Sequence, residues 1–536
     1  MFNKFINYAK YSSNLKNIKS RSKNDMKYTV ETYTIDKDIN TNIANLKTVF
    51  GSSDDIVYRE FTFGVNKEIK AILCFVDGLI DKALIDEYLM KSLMLNIHID
   101  NYDPSLDEAQ NMFSHIKNFV INTVELEEIN NFDKGIGSIL AGNSILFING
   151  CNSILSISAK GGKTREVTQL EAEVSIRGPR VAFTEVLRVN TSLVRRIIKN
   201  PDLTFESLIL GNKTHTDITI AFIKGIADLK VVAEVKRRLD NIHIDAILES
   251  GNIEQLIDDN PFSPFATVGN SEKPEKVASK LLEGRVAIFC NGTPFVLTVP
   301  YLLTESIQVL DDYSSRPISA SIIRLIRCLA FFITISLPAL FVAFASYHQE
   351  MVPTVFLVAT AASREGVPFP VFLEAILTEF TFQLLRESGI RMPKAVGSAV
   401  AIVGTLVIGQ AAVEANIVSA PMVIVVALSG VTSFIVPTLF DAVLVFRFIL
   451  LVLSGLFGLF GIAIGLLFML THLCYLESFG TPFMSPFAPL NWYNLKDTII
   501  RLSIRIGVGT DENTAKFESN YKSSSNNNEE SSGDET

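Results

Sequence analysis

Ser144–Ser158 reads SILFINGCNSILSIS, and Arg285–Val299 reads RVAIFCNGTPFVLTV. In each, two apolar runs flank Asn-Gly, a strong β-hairpin signal because both central residues of a tight primed turn need positive φ. Upstream of each hairpin lies a second matching pair. Lys70–Asp77 (KAILCFVD) is a buried-strand run ending at Gly78, and Asp81–Leu93 follows with helical spacing behind an N-terminal Asp. Asp217–Gly225 (DITIAFIKG) is again a strand ending in glycine, with a helix over Leu229–Leu239 after it. The strand glycines Gly78 and Gly225 stand 147 residues apart, and the hairpin glycines Gly150 and Gly292 stand 142 apart. Matched anchors at nearly one offset predict two similar α/β subdomains. Two ordinary α/β domains that both use Asn-Gly turns are the plainer alternative.

Working outward, residues 1–45 are polar, basic and non-periodic, and are expected to form a disordered arm. The first subdomain is placed at 46–175, and a helical linker with the second subdomain at 176–320. Between the repeats lies Arg177–Leu203 (RGPRVAFTEVLRVNTSLVRRIIKNPDL), with Gly178-Pro179 as a helix start and Asn200-Pro201 as a stop. Arg188, Ser192, Arg195 and Lys199 recur at three- or four-residue steps and give this helix a basic stripe. A solvated face is one reading of it; contact with anionic lipid or an acidic partner subunit is the other.

The 536 residues carry a net charge of −9, which argues against nucleic acid, since phosphate binding needs a dense basic surface. Mean hydropathy is +0.30, but the apolar residues are unevenly placed. From Leu325 to Leu473 charges are scattered, and 325–473 is expected to be an α-helical transmembrane bundle. Leu325–Tyr347 spans, with Pro338 inside it. Val352–Ala362 is too short to cross a hydrocarbon layer roughly 30 Å thick and reads as a re-entrant or interfacial segment, near 352–362. Phe369–Arg386, Ala395–Val413, Ile417–Phe440 and Phe448–Leu473 complete about five crossings. Arg386, Arg391 and Lys394 cluster in one connection, which places it on the cytoplasmic side. Five crossings would leave the C-terminus outside. The tail, 474–536, is polar and is expected to be disordered from about 510.

The N-terminus lacks an apolar signal region, so the soluble half is expected to stay in the cytoplasm. Five scattered cysteines (Cys74, Cys151, Cys290, Cys328, Cys474) fit a reduced compartment without a disulfide framework. Neither a catalytic motif nor a metal-ligand spacing is present, and no cofactor is expected. Ser158–Thr164 (SAKGGKT) mimics a P-loop, but Ile157 stands where its first glycine belongs.

The helix Phe369–Arg386 carries the polar residues of interest. At 100° per residue, Glu374, Thr378 and Thr381 share one stripe, while Glu379, Gln383 and Arg386 share a second. An ionisable group at membrane depth costs about 2.5 kcal/mol or more, so such groups usually face a bundle interior or water. One reading makes Glu374, Thr378 and Thr381 pore-lining, with Glu374 as a carboxylate ring in an oligomer. Glu379, Gln383 and Arg386 would then make polar contacts within the bundle. The other reading pairs Glu379 with Arg386 and puts Glu374 near an interface. Gly455, Gly458, Gly461 and Gly465 recur at three- and four-residue steps, allowing close helix approach.

These phrases together resemble the A subunits of the GerA-type nutrient germinant receptors of endospore-forming bacteria. The resemblance rests on Arg177–Leu203, on EGRVAIFCNGTPFVLTVP (Glu283–Pro300), and on DDYSSRP (Asp311–Pro317). It continues through ISLPALFVAFASYHQEMVPT (Ile335–Thr354), REGVPFPVFLEA (Arg364–Ala375) and PFMSPFAPL (Pro482–Leu490). It implies two α/β subdomains in the soluble region, location in the spore inner membrane, and assembly with a multi-span B-type subunit and a lipoprotein C-type subunit. It also implies triggering of germination by nutrients, with early release of monovalent cations. The expected function is that of a germinant receptor A subunit, working as an oligomeric ligand-gated cation channel and not as an enzyme. The alternatives are a membrane-anchored scaffold and an accessory subunit of a dipicolinate transport complex.

Overall fold

The computed structural model describes residues 33–63, 69–91, 126–161, 178–391 and 407–488, with a few isolated positions beside them. The basic arm up to residue 32, most of the expected span Ala395–Val413 and the tail beyond residue 501 lie outside the described residues. By packing, one compact unit is Met1–Thr168 with Phe183–Leu208 and Asp217–Gly225; the other is Gln169–Ala182, Ile209–Thr216 and Ile226–Thr536.

The first repeat opens with α1 (Ile39–Phe50), then β1 (Ile56–Phe63), β2 (Ile69–Val76), β3 (Leu126–Ile129), α2 (Phe132–Leu140), β4 (Ser144–Ile148) and β5 (Ile154–Ile157). The strands form one antiparallel sheet in the order β1-β2-β4-β5-β3. Strand alternation sorts β2 cleanly. Ala71, Leu73 and Phe75 enter one apolar core, while Ile72, Cys74 and Val76 enter another with Leu46 and Phe50 of α1. Both faces of the sheet are therefore covered, which is why β4 reads as an unbroken apolar run.

The second repeat restates this with α3 (Leu187–Ile197), β6 (Leu203–Leu210), β7 (Thr216–Ile223), α4 (Leu229–Asp240), α5 (Ser250–Ile257), β8 (Gly269–Ser271), α6 (Pro274–Leu282), β9 (Val286–Cys290) and β10 (Val296–Val299). Its sheet order, β6-β7-β9-β10-β8, is the same permutation. The likeness extends to single hydrogen bonds. Asn42 accepts from the Asp36 amide and donates to its carbonyl; Asn190 does both with Thr184. The Asp77 amide donates to the Asp55 carbonyl at 2.7 Å, and the Lys224 amide donates to that of Asp202 at 3.0 Å. The fold is thus two similar α/β subdomains followed by a helical region.

Both hairpins form, but neither uses a two-residue turn. The β4–β5 pairing, Ser144 with Ile157, leaves residues 149–153 as the loop, and only Gly150 there has positive φ (91°). Asn149 instead accepts from the Ile39 amide with its side chain, tying the loop to α1. Gly292 plays the same part in the β9–β10 loop, with φ 89°. The basic stripe is divided: Lys199 is exposed and Arg188 partly so, while the other two residues turn inward. Arg195 and Ser192 are buried, because Arg195 holds the Asp55 carboxylate through Nε (2.8 Å) and Nη2 (3.0 Å). It also donates to the carbonyls of Asn200 and Leu203 and to the Ser53 hydroxyl. Helix α3 starts at Leu187, past Gly178-Pro179, where Val186 is extended and the Asn190 side chain holds the backbone of Thr184.

The helical region comprises α7 (Pro317–Ser346), α8 (Thr354–Arg364), α9 (Val371–Arg391), α10 (Ala420–Ser433) and α11 (Phe440–Tyr475). Two stretches, Pro317–Ser346 and Pro437–Tyr475, are long and apolar enough to cross a membrane. The second is not one straight rod. Gly458 has φ 58° and ψ −139°, which no helix contains. A side chain on Gly461 would collide with the Leu453 carbonyl, and one on Gly465 with Leu450, so the chain reverses at Gly458 into two antiparallel legs. At about 1.5 Å per residue, each leg is roughly 26 Å long. Tyr347, at the end of α7, donates its hydroxyl to the Gly455 carbonyl (2.6 Å) and covers the turn.

The returning leg brings the chain back to the second subdomain. Ser478 is fully buried; its hydroxyl donates to the Thr267 carbonyl (2.6 Å) and accepts from the Tyr301 amide (3.0 Å). The Phe479 amide donates to Asp259 at 2.7 Å, and the Leu303 amide donates to the Phe483 carbonyl at 3.0 Å.

Candidate functional site: buried ion pairs in the helical bundle

Helix α9 is the most polar of the bundle, and two of its carboxylates, Glu374 in the first turn and Glu379 further along, are fully buried. Glu379 accepts a hydrogen bond from Arg447 on α11 and a second, 3.2 Å, from Gln383 one turn along. Arg447, only 1% exposed, also donates to the carbonyls of Thr334 on α7 (3.0 Å) and Ser429 on α10 (3.5 Å). Thr334 in turn donates to the Thr432 hydroxyl at 2.8 Å. One guanidinium therefore ties four helices together. A charge taken this far from water persists only when paired and hydrogen-bonded.

Glu374 lies one and a half turns earlier and is held differently. One oxygen accepts from the Ser419 amide (2.8 Å) and hydroxyl (2.5 Å), and the other from Arg364 Nε (3.2 Å). Arg364 is 22% exposed, so this pair reaches the edge of the bundle. Thr378 and Thr381 return their hydroxyls to the carbonyls of Glu374 and Leu377. Both threonines line a cavity of about 590 Å³ with Phe382, Arg386 and otherwise apolar side chains. Glu374 is not among the residues lining it.

Arg386 does not meet Glu379. Its guanidinium lies 3.4 Å from the centre of the Phe440 ring and 5.1 Å from that of Phe434, with Ser433 at 3.5 Å. The face of an aromatic ring attracts a cation by its quadrupole, so these rings take the place of a carboxylate. Arg447, Arg364 and Ser419 were not singled out in the sequence. Arg447 could have been, since it sits one residue before the expected span Phe448–Leu473, and an arginine at that depth is a site signal in itself. Among the described residues no group of His, Cys, Asp and Glu is arranged to hold a metal ion.

Fold and site together define a helical-bundle protein with buried charge pairs at its centre and a duplicated α/β head. Its family can be stated. Residues 44–507 match the family model of the Bacillus/Clostridium GerA spore germination protein, and the chain belongs to that family. It is 44% identical to spore germination protein KA of Bacillus subtilis (strain 168), over 86% of this chain and 84% of that protein. It is 38% identical to spore germination protein B1 of the same organism, over 87% and 95% respectively. Among solved structures it is similar to the N-terminal domain of the A subunit of the Bacillus megaterium spore germinant receptor GerK3. That match has 38% identity and a TM-score of 0.40, and covers 51% of this chain and 98% of that domain.

Proposed function

We propose that this chain is the A subunit of a nutrient germinant receptor in the spore inner membrane, assembled as a ring whose helices pass monovalent cations. It works with B-type and C-type subunits, and nutrient binding elsewhere in the complex opens the path. The observation that carries this reading is α9: two carboxylates fully buried in an apolar bundle, each held by a partner on a different helix. A rigid anchor has no use for them, since an apolar core of equal volume would be as stable or more so. The Glu374–Arg364 pair, at the bundle edge, is the one that a sliding helix could release, giving a carboxylate that favours cations.

The soluble region faces the cytoplasm, and the membrane topology is even. Three features support this: the reversal at Gly458, the fastening of Ser478 to Thr267, and the arginines at the end of α9. With the last expected span divided into the two legs of α11, an even number of crossings is proposed in place of the odd number expected from hydropathy.

The test is Glu374→Gln with Glu379→Gln, measured as potassium release from spores exposed to the nutrient. Altered release with normal assembly supports a cation path. Normal release from a normally assembled double variant removes the channel and leaves a membrane-anchored scaffold. Loss of dipicolinate efflux alone would favour the transport-accessory reading.

A further inference from the structure

The two repeats are not used alike. Helix α3, which opens the second repeat, buries one face through Leu187, Asn190, Val194 and Ile198. The matching positions of α1, at an offset of 148 fixed by the Asn42 and Asn190 hydrogen bonds, are Ile39, Asn42, Leu46 and Phe50, also buried. But α3 buries a second face. Thr191, Ser192 and Arg195 are 1%, 4% and 0% exposed, because that face docks on the first repeat. Arg195 takes the Asp55 carboxylate, and Ser192 sits where a side chain on Gly78 would be, 3.0 Å from it.

On α1 the corresponding residues are Ile43, Ala44 and Lys47. Ile43 is half-buried, and Ala44 and Lys47 are exposed. The receiving surface recurs too. At the strand offset of 147, Asp55 corresponds to Asp202 and Gly78 to Gly225, and both keep the backbone geometry of their counterparts. Asp202 is exposed, and among the described residues nothing lies within 4 Å of a side chain built on Gly225. The repeat thus has a used joint inside the chain, and the two halves of a second joint left open. The open halves match in chemistry: a lysine stands where Arg195 stands, a small residue where Ser192 stands, and an aspartate where Asp55 stands.

We infer that α1 of one copy docks on the Asp202–Gly225 edge of a second copy, with Lys47 paired to Asp202 and Ala44 against Gly225. The contact repeats between chains the joint that α3 makes within one. It is heterologous: donor and acceptor are different surfaces, so each copy carries one of each. Such a contact closes into a ring if its rotation allows, and runs on into a filament if not. The inference deepens the ring reading above and rests on it.

The test uses full-length chains in the assembled receptor, in a Cys474→Ser background that removes the exposed native thiol. One tagged chain carries Lys47→Cys and a differently tagged chain carries Asp202→Cys. The two are co-expressed and treated with a short bifunctional maleimide. A covalent dimer bearing both tags, absent when either variant is expressed alone, is the expected result. Oligomeric protein without that mixed dimer overturns this contact and leaves the ring standing. Monomeric protein after gentle detergent extraction overturns both. Charge reversal gives an independent reading. Lys47→Glu or Asp202→Lys should each lower the oligomeric fraction several-fold, and the two together should restore it. Failure of the pair to restore assembly, with each chain folded, also counts against the contact.

Discussion

Arg447 reaches Glu379 across the middle of the bundle while its other nitrogens hold the carbonyls of Thr334 and Ser429. The pair is a joint for four helices, and removing either half strands a buried charge. Arg447→Met is expected to cost about 3–5 kcal/mol, seen as a fall in the melting temperature of the detergent-extracted protein. Glu379→Gln together with Arg447→Met should recover most of that loss, because the stranded charge is gone. If the double variant is as unstable as the single, the joint depends on shape and not on charge.

The soluble half carries a comparable joint. Asp55→Asn leaves Arg195 buried with only neutral partners, the Asn200 and Leu203 carbonyls and the Ser53 hydroxyl, and half of its bidentate contact. A loss of about 3 kcal/mol or more is expected in denaturant unfolding of the purified protein, with Asp55→Ala at least as damaging. An exposed pair such as Lys213–Asp245 should change stability by under about 1 kcal/mol when broken, and serves as the control.

Stability should fall with rising pH through neutrality because of one residue. Burial pushes the Glu254 carboxyl up from 4.5 to about 7; the Asn270 side chain opposes this, and the charges of Asp258 and Asp441 add to it. The folded protein holds this proton more tightly than the unfolded chain does. The resulting stabilisation is complete below about pH 4.5 and is lost as pH climbs through about 7. Melting curves at pH 5.5 and 8 should show a drop of a few degrees in the wild type, reduced in Glu254→Gln. An unchanged drop in the variant would assign the effect elsewhere.

Gly458 cannot be replaced cheaply. Its φ of 58° with ψ −139° lies outside the ordinary left-handed region and favours glycine alone, and an added side chain would meet Tyr347 and His348 at about 3 Å. Gly458→Ala is expected to lower the amount of membrane-inserted protein. The even topology proposed above sets the expected sidedness of labels in a Cys474→Ser background. Glu477→Cys should react with an impermeant thiol reagent from the side of the soluble half, and Glu350→Cys from the opposite side. Reaction of both from one side would dissolve the even topology.

Much of the α/β region could be read from residues 144–158 and 285–299, because buried strands around glycine turns leave a local pattern. The repeat was visible for the same reason, at the positions where backbone geometry admits little but glycine. What could not be read was the joint made by Arg195, since a helix with arginine every third or fourth residue looks solvated until a carboxylate 140 positions away is brought to it. The bundle was harder still. Hydropathy gives no sign of reversal within 440–475, where glycine serves equally as packing surface and as turn. The polar stripes of α9 follow from helical angle, but angle alone cannot say that Glu379 faces Arg447 while Arg386 rests on Phe440.

Ser478 is bonded to Thr267 and Tyr301, while the chain also enters the bundle directly through α7. The second subdomain is therefore held at two places, next to the first helix and after the last. A single tether could only pull; two grips let a twist of that subdomain become opposed displacements of the outermost helices. On the proposed channel reading, torque rather than tension is the form in which a distant signal would arrive at the carboxylates.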